Sequence, residues 1–326
     1  MDTTFDAWAV RRYGGPNVLA PVTRALPTPA DGQVLIRVRA SAVSRADGMM
    51  RAGIPKWARP FLGFSKPRAE LAGTCFSGEV IAAGRAVTRF QPGDALFGEV
   101  GLQFGANASH ICLDAEASLV KKPDTLSHEE AAVMCDGALT SWHFLTRVVQ
   151  LKPADKVLIL GGSGSLGTAA VQFAATLGAQ VTATSSARNT EMLETLGASR
   201  AVDYRVENPL ETGERFNVVF DTLGISSFKA AKPALLEQGH YICPVLGMGL
   251  LRDMLCTAIA GTKRAKFAAA GMEKPALHRT ELAEILDLVK EQRFLPVMDR
   301  TYPLSDLVDA HHYVETGRKR GNVVVV

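Results

Sequence analysis

The chain has few cysteines, and none of them lie close together. Five cysteines are scattered over 326 residues: Cys75, Cys112, Cys135, Cys243 and Cys256. An odd number at wide spacing argues against a disulfide framework and against a Cys-x-x-Cys metal or redox motif. We therefore expect reduced thiols and no metal.

Long runs of one chemical character are also missing. No uncharged apolar stretch of about 18 residues occurs, and residues 1–22 lack the basic start, apolar core and cleavage site of a signal peptide. The net charge is only +3, with no long Lys/Arg run. These absences predict a cytoplasmic protein that has neither a membrane nor a nucleic acid as a partner. We interpret a basic cluster at Lys56, Arg59, Lys66 and Arg68 as a solvated loop, with substrate or cofactor phosphate contact as the alternative.

The length and the pattern of the chain predict two domains. Short strand-like segments broken by Gly and Pro run from Ala7 to Pro123, which is typical of an all-β unit such as a barrel. A helical stretch from Ser127 to Gln150 opens with a capping box, Ser127 and Glu130. Beyond Lys152 strands and helices alternate, which predicts a parallel, doubly wound sheet.

The C-terminal part departs from this alternation. Pro275–Gln292 has helical spacing, and two strand-like segments, RFLPVMDRTYPL and GNVVVV, then flank a helix from Ser305 to Glu315. This order matches neither half of a βαβ unit. We therefore expect the tail to return to the first domain.

A glycine turn at residues 157–189 is the most informative passage. The sequence VLILGGSGSLGTAAVQFAATLGAQVTATSSARN gives an apolar strand, a turn, a helix from Ser165 and a second strand. Gly162-x-Gly164-x-x-Gly167 fits the dinucleotide fingerprint, in which glycines permit a tight turn, close approach of a pyrophosphate and packing of the helix on the strand. The helix N-terminus favours phosphate. An ordinary strand–turn–helix without a ligand is the alternative.

The second strand of this passage ends without a carboxylate. NAD-selective sites place an Asp or Glu about 20 residues after the turn, where it binds the ribose hydroxyls. Here residues 183–188 read ATSSAR. Hydroxyl groups and a guanidinium suit a 2′-phosphate, so the sequence predicts NADPH rather than NADH.

Several further motifs occur in a specific order over nearly the whole chain. They are ASAVSRADGMMRAG, GDALFGEVG, GANASHICLDAEASLVKKPDTLSHEEAAV, GALTSWHFL, LGASRAVDY, FNVVFDTLG and HHYVETGRKRGNVVVV. With the glycine turn, they make the chain resemble the medium-chain dehydrogenase/reductase superfamily, in its zinc-independent quinone oxidoreductase and enoyl reductase-like branch. The resemblance implies an α/β protein with a GroES-like β-barrel domain, residues 1–126 and 272–326. It implies a Rossmann doubly wound parallel-sheet domain at residues 127–271, with the cofactor in the cleft.

The resemblance also assigns cofactor roles to individual residues. Ser163, Gly164, Ser165 and Leu166 would line the pyrophosphate, and Ser44 and Thr140 would lie near the nicotinamide. Around the 2′-phosphate it places Ser185, Arg188 and Tyr204, for which a packed aromatic and a surface charge are the alternatives. Asp221 and Gly224 would shape the loop beside the adenosine ribose, and Asn322 would reach the cofactor from the C-terminal strand.

The metal ligands of zinc-dependent relatives have no counterpart by this resemblance. Where those proteins carry a Cys and a His-Glu pair, the matching places read Ser44 and Leu71-Ala72-Gly73. A tyrosine of enoyl-thioester reductases is likewise replaced within residues 53–56, which counts against a fatty-acyl substrate. Asp47 and Arg51 are possible polar participants, but the catalytic residue stays unassigned.

These features favour an NADPH-dependent reductase of quinones or α,β-unsaturated carbonyl compounds. Hydride addition to a conjugated C=C delivers charge to oxygen, where a hydroxyl or a backbone amide can stabilise it without zinc. The alternatives are a zinc-free alcohol/aldehyde oxidoreductase and a non-catalytic NADPH-binding accessory protein. By the resemblance we also expect a homodimer, paired through the last sheet strand near Ala265–Ala270, although charges there could protect that edge.

Overall fold

The protein consists of two compact units in a computed structural model that describes residues 3–326. The first unit comprises the chain up to Asp136, Gly271–Glu284 and Met298–Val326. The second unit comprises Gly137–Ala270 and Ile285–Val297.

Fifteen strands are found among the described residues, and we number them in chain order. They are β1 Thr4–Val10, β2 Leu19–Ala25, β3 Gln33–Val43, β4 Cys75–Ala83, β5 Ala95–Glu99, β6 His110–Asp114, β7 Ser118–Lys121, β8 Lys156–Leu160, β9 Gln180–Ser185, β10 Arg200–Asp203, β11 Phe216–Asp221, β12 Leu235–Ile242, β13 Arg264–Lys266, β14 Met298–Tyr302 and β15 Asn322–Val325.

Ten α-helices accompany the strands within residues 3–326. They are α1 Arg45–Ala52, α2 Arg59–Leu62, α3 His128–Ala132, α4 Leu139–His143, α5 Ser165–Thr176, α6 Thr190–Thr195, α7 Phe228–Ala231, α8 Met248–Ile259, α9 Pro275–Lys290 and α10 Leu307–Glu315. The predicted helix starts at Ser165 and Pro275 agree with these bounds.

The first unit is built on a mostly antiparallel sheet to which the C-terminal tail contributes two strands, β14 and β15, that are parallel to each other. The sheet order is β14-β15-β3-β4-β5-β7, with β6 paired to β3 and with β1 and β2 in a separate hairpin. Its core contains Ile36, Phe76 and Leu96, which are fully buried. The tail packs with the N-terminal hairpin in a second cluster, and the Trp8 indole donates to the Leu304 carbonyl at 2.8 Å. The tail therefore belongs to the first unit, as its sequence predicts.

The second unit is a six-stranded parallel sheet in the order β10-β9-β8-β11-β12-β13. The short apolar run of β8 lies at the centre and is buried, as expected for a strand covered on both faces. On α5, Phe173 contacts Trp142 edge to face with the ring centres 5.1 Å apart. The strand order reverses between β8 and β11, which is where doubly wound sheets bind ligands.

The two units differ at two places from the domain boundaries predicted at residues 126/127 and 271/272. Residues 127–136 lie with the first unit, because α3 packs on β3, β4 and β5 and the His128 Nδ1 atom lies 2.8 Å from the Ser77 hydroxyl. Residues 285–297 lie with the second unit, because Phe294 stacks on Phe173 and Leu295 exchanges two hydrogen bonds with the Gln172 side chain. The boundary between Glu284 of the first unit and Ile285 of the second unit falls inside α9.

Candidate functional site

The glycine turn joins β8 to α5 in the second unit. Gly161 has φ +81°, a conformation that favours glycine, and the Gly162 amide donates to the Thr184 carbonyl at 2.8 Å. A Cβ atom on Gly167 would lie 2.2 Å from the Gly161 carbonyl oxygen. The third glycine of the fingerprint therefore lets the helix pack directly on the turn.

Gly164, in contrast to Gly167, has open space where a side chain would be. It is the residue that precedes α5, in extended conformation, and a Cβ there would have only the Gly161 oxygen within 4 Å, at 3.8 Å. Ser163 and Leu166 beside it are partly exposed, and Ser165 begins the helix. This cradle fits a pyrophosphate, because the first-turn amides and the helix dipole favour an anion there and no side chain fills the space.

A neighbouring helix supports the turn from within the same unit. The Ser141 hydroxyl of α4 donates to the Leu166 carbonyl at 2.8 Å. A Cβ on Gly137 would meet the Ser165 backbone at 2.6 Å, so this segment approaches the start of α5 closely. Thr140, assigned to the nicotinamide by resemblance, is the partly exposed residue next to Ser141. Thr140 therefore lies on α4, the helix that contacts the glycine turn through Ser141.

Two of the residues assigned to the 2′-phosphate meet at adjacent strand ends. Ser185 ends β9, and its carbonyl accepts from the Tyr204 amide, just beyond β10, at 3.1 Å. Arg188 follows in the turn Ala187–Asn189 and is exposed, and the Tyr204 side chain is 56% exposed. A hydroxyl, a phenol and a guanidinium thus lie at or just beyond the carboxyl edge of the parallel strands, where the sequence places them.

Two further groups at this edge escape the sequence interpretation. The Arg205 guanidinium lies over the Tyr204 ring, 5.6 Å from its centre, and adds a second cation. Asp203 is the register partner of Ser185, and its carboxylate accepts from the Arg205 amide at 3.0 Å. Arg205 could have been found as the neighbour of Tyr204 in the sequence. Asp203 could not, because its position depends on which strands pair.

Asp221 organises the loop after β11. Its carboxylate accepts from the amides of Leu223, Ile225 and Ser226 and from the Tyr241 hydroxyl, at 2.7–3.2 Å. Burial and the neighbouring Asp221 raise the pKa of Tyr241. Gly224 lies in this loop with φ +66°, where a Cβ would lie 2.9 Å from Val245. The predicted role of Asp221 in shaping the loop agrees with these contacts.

Ser44 and Asn322 lie in the first unit. Ser44 caps α1: its hydroxyl donates to the Asp47 carboxylate at 2.8 Å and accepts from the Asp47 amide at 3.1 Å. Burial raises the pKa of Asp47, and hydrogen bonds from Ser44 and Thr74 oppose that change. Asn322 is the buried first residue of β15. In this structure Ser44 and Asp47 both serve a helix cap.

Arg51 is a structural residue in this arrangement. It is buried and contacts the His311 Nδ1 atom at 2.6 Å, the Gly14 carbonyl and the Glu315 carboxylate. Burial and the adjacent Arg51 lower the pKa of His311 to about 3, so the ring stays neutral and accepts from the guanidinium. Arg51 therefore links α1 to α10 within the first unit.

Two carboxyl groups inside the first unit have pKa values well above the ordinary range. Burial and the nearby Asp136 and Asp47 raise the pKa of Glu99 to about 8. Burial raises the pKa of Asp136 to about 6, against the attraction of Lys319. Sequence reasoning missed these groups, because nothing in their local sequence indicates that they are buried. Within residues 3–326 no group of three His, Cys, Asp or Glu side chains is arranged to hold a metal ion.

Two family descriptions match the chain. Residues 30–152 match "Alcohol dehydrogenase GroES-like domain", and residues 196–325 match "Zinc-binding dehydrogenase". A mitochondrial NAD(P)H oxidoreductase of Mus musculus, RTN4IP1, is 31% identical over 99% of this chain and 89% of its own length. A 2-methylene-furan-3-one reductase of Solanum lycopersicum is 28% identical over 98% of this chain and 78% of its own.

Solved structures agree with these sequence matches. The quinone oxidoreductase of Coxiella burnetii has a TM-score of 0.86 and 28% identity over 99% of both chains. A mycobacterial protein solved with NADPH, Rv1454c, has a TM-score of 0.84 and 26% identity over 99% of both chains. The predicted combination of a GroES-like domain with a Rossmann-like parallel sheet is confirmed.

Proposed function

This chain belongs to the medium-chain dehydrogenase/reductase superfamily, in its quinone oxidoreductase-like branch, and from that premise we propose an NADPH-dependent reductase of quinones and enones that works without catalytic zinc. The name of the mouse relative describes an oxidoreductase that uses NAD(P)H. The observation that supports NADPH is the cluster of Ser185, Arg188 and Tyr204, at or just beyond the carboxyl edge of the sheet that bears the glycine turn.

The proposed cofactor contacts follow from the second unit. The open space at Gly164 and the first-turn amides of α5 would hold the pyrophosphate. Arg188 and Arg205 would attract the 2′-phosphate, while the Ser185 hydroxyl and the Tyr204 phenol would orient it. Thr140, and Ser44 and Asn322 of the first unit, are proposed to complete the nicotinamide side. When bound, the cofactor supplies a hydride from nicotinamide C4.

The proposed acceptor is a conjugated carbonyl compound. A hydride adds to one carbon of the C=C bond, the electron pair moves through the conjugated system to oxygen, and a proton from water completes the reduced product. The chain has to orient the acceptor and to hold its developing oxygen charge. Two relatives act, by their printed names, on a quinone and on a methylene-furanone, both of which are conjugated carbonyl compounds.

The zinc-free part of the proposal is supported by the place of Ser44. Its hydroxyl is used within the capping box of α1, and a hydroxyl is a poor zinc ligand. The family description that includes zinc binding makes metal content the decisive measurement.

The test is reduction of an acceptor panel by chelator-treated protein whose zinc content has been measured. We expect NADPH oxidation with quinones or enones, and little with saturated aldehydes. Reduction of NADP by alcohols would favour the alcohol/aldehyde alternative instead. NADPH binding without turnover on the whole panel would favour an accessory role and would contradict the proposal.

Homodimerisation is proposed through the second unit. β13 is the last strand of the sheet, and its two cationic side chains bind carbonyl groups of the same unit. Arg264 donates to the carbonyls of Thr257 and Gly261, and Lys266 donates to the carbonyl of Val148. Along α8 an apolar stripe is exposed at Met248, Leu251, Leu255 and Ile259. A strand edge beside an exposed apolar stripe is typical of a two-fold interface. Light scattering after chromatography should give twice the mass of 34.9 kDa, and L255E should reduce it.

The cellular compartment stays a prediction. The mouse relative is named as mitochondrial, whereas the composition of this chain favours the cytoplasm. Imaging of the tagged full-length protein would decide between them.

A further inference from the structure

The basic aromatic loop, residues 54–68 of the first unit, combines two properties that seldom coincide on an exposed segment. Four large apolar side chains are exposed: Ile54 by 53%, Trp57 by 43%, Phe61 by 58% and Phe64 by 76%. Exposed apolar groups that lie close together in this way mark interaction sites. None of these four residues is among the proposed cofactor contacts.

The charge of the loop has one sign only. No Asp or Glu occurs between Asp47 and Glu70, and Lys56, Arg59, Lys66 and Arg68 stand among the aromatic residues. Lys56, Lys66 and Arg68 are exposed. A solvated loop, or contact with a substrate or cofactor phosphate, would account for these cations, but neither interpretation explains the exposed aromatic rings.

The local conformation places two of the exposed aromatic side chains on the same side of the loop. Lys56–Ala58 is a 3-10 turn that continues into α2, so Trp57 and Phe61, four residues apart, lie on one side of the helical segment. Phe61 also lines a groove with Leu102, which is 45% exposed, and Phe104. The apolar surface therefore extends beyond the loop into the neighbouring segment.

Tyr13 holds the loop to the first unit. Its hydroxyl donates to the Gly63 carbonyl at 2.5 Å, and the Arg59 guanidinium lies 4.7 Å from its ring centre. Gly53 fits against the same ring, where a Cβ would lie 2.7 Å away. These contacts of Tyr13 hold the loop on the first unit while the three aromatic side chains stay exposed.

We propose that the basic aromatic loop is a peripheral membrane-binding element that inserts Trp57, Phe61 and Phe64 into the interface of an anionic bilayer. Aromatic side chains favour the headgroup region, and each nearby Lys or Arg adds electrostatic attraction to anionic lipid. No helix among residues 3–326 is long and apolar enough to cross a bilayer, and an interfacial loop needs none.

A second copy of the chain fits this surface poorly. In a two-fold contact the same patch faces itself, which would bring the cations of both loops together. A single-stranded nucleic acid would match the charge and could stack on the aromatic rings, but it would leave the exposed aliphatic side chains of Ile54 and Leu102 in water. An anionic lipid surface suits both the cations and the aliphatic groups.

The test is co-sedimentation of the full-length protein with vesicles of phosphatidylcholine containing 30% phosphatidylglycerol, and with phosphatidylcholine alone, on the order of 0.02 M salt. We expect binding to the anionic vesicles that is at least tenfold stronger than to the neutral ones and that falls at 0.5 M salt, where charges are screened. No sedimentation with anionic vesicles would overturn the proposal.

Two pairs of variants separate this mechanism from non-specific adhesion. K56E/K66E should weaken anionic binding more than twentyfold, whereas K152E/K156E, with the same charge change in the second unit, should leave it within twofold. F64S should weaken binding on the order of tenfold, and V206S, which alters a side chain that is 85% exposed elsewhere, should not. Equal effects within either pair would overturn the assignment to this loop.

Three further outcomes would also overturn the proposal, and two of them would point to other occupants. Binding of a DNA oligonucleotide at the same salt without vesicle binding would indicate a polyanion site. A lower oligomeric mass for F64S would indicate contact between copies. Equal loss of vesicle binding in all four variants would indicate a general effect of charge and folding. Each measurement is independent of turnover, so failure of the proposed reaction would leave this result intact.

Discussion

The two units use buried polar groups in opposite ways. In the second unit Asp221 is fully buried, and four donors surround its carboxylate. In the first unit burial and neighbouring carboxylates raise the pKa of Glu99 to about 8, and burial raises that of Asp136 to about 6. The second unit thus surrounds a buried carboxyl group with hydrogen-bond donors, whereas burial in the first unit raises the pKa of its acids.

The difference lies in what determines each feature, because some depend on the conformation of the backbone and others on how side chains pack in three dimensions. The glycine turn, the Asp221 loop and the strand ends of the second unit depend on backbone geometry, which short motifs encode. The acids of the first unit depend on what surrounds them in three dimensions. The following experiments would break or sharpen that distinction, and they are arranged from the largest expected effect to the smallest.

Gly167→Val should have the largest effect, because its side chain would collide with the Gly161 carbonyl oxygen, 2.2 Å from the Cβ position. We expect loss of NADPH binding and destabilisation of about 3 kcal/mol, measured by calorimetry and by quenching of protein fluorescence. The matched control is Gly164→Ala, for which the fold has room. This control should keep its stability within about 0.5 kcal/mol and still weaken NADPH binding on the order of tenfold. Equal destabilisation by both would contradict separate roles for the two glycines.

Asp221→Asn should cost about 2–3 kcal/mol of unfolding free energy, because an amide cannot replace a carboxylate that accepts from four donors. Urea denaturation measures the change. Asp203→Asn, which alters a carboxylate with one amide donor, should change stability by less than about 1 kcal/mol. If the two variants were equally stable, the hydrogen bonds of Asp221 would not carry the loop.

Glu99→Gln should flatten the pH dependence of stability. The folded pKa of about 8 lies above the ordinary 4.5, so the folded state binds more protons between these values. The wild-type protein should therefore lose stability as pH rises from about 5 to 8, and the variant should lose less of it. Melting temperatures at pH 5, 6, 7 and 8 test this. A parallel pH profile in both proteins would show that Glu99 does not titrate in this range.

Arg188→Ala should have the smallest effect on the fold and a selective effect on the cofactor. We expect the KM for NADPH to rise on the order of tenfold and that for NADH less than twofold, since only NADPH carries the 2′-phosphate. Arg215→Ala, another exposed arginine of the second unit, should change neither. Equal increases for both cofactors would remove the reason to prefer NADPH.

Regular elements with strong periodicity are predictable from this sequence, and the tertiary arrangement of side chains is not. The parallel strands and α5 follow from apolar runs and glycines. β2 escapes prediction because Pro21 interrupts its pattern, and β7 is only four residues long. The placement of residues 285–297 with the second unit depends on Phe294 meeting Phe173, which no local pattern indicates.

The same limit applies to the candidate site. Ser185 and Arg188 could be proposed because they lie at the acid-free end of the second strand, and Tyr204 could be proposed because of the family resemblance. Asp203 is next to Ser185 only through the register of β9 and β10. The buried acids near Asp136 come from β5, α1 and the segment before α4, so no single stretch of sequence brings them together.

The three tryptophans give the protein a natural set of optical reporters. Trp8 donates a hydrogen bond to the Leu304 carbonyl in the first unit, and Trp142 packs against Phe173 in the second. Trp57 is exposed on the basic aromatic loop. Proteins that each retain a single tryptophan would therefore emit from one region only. Unfolding of either unit and transfer of the loop into lipid could then be followed separately, in one cuvette and without any attached label.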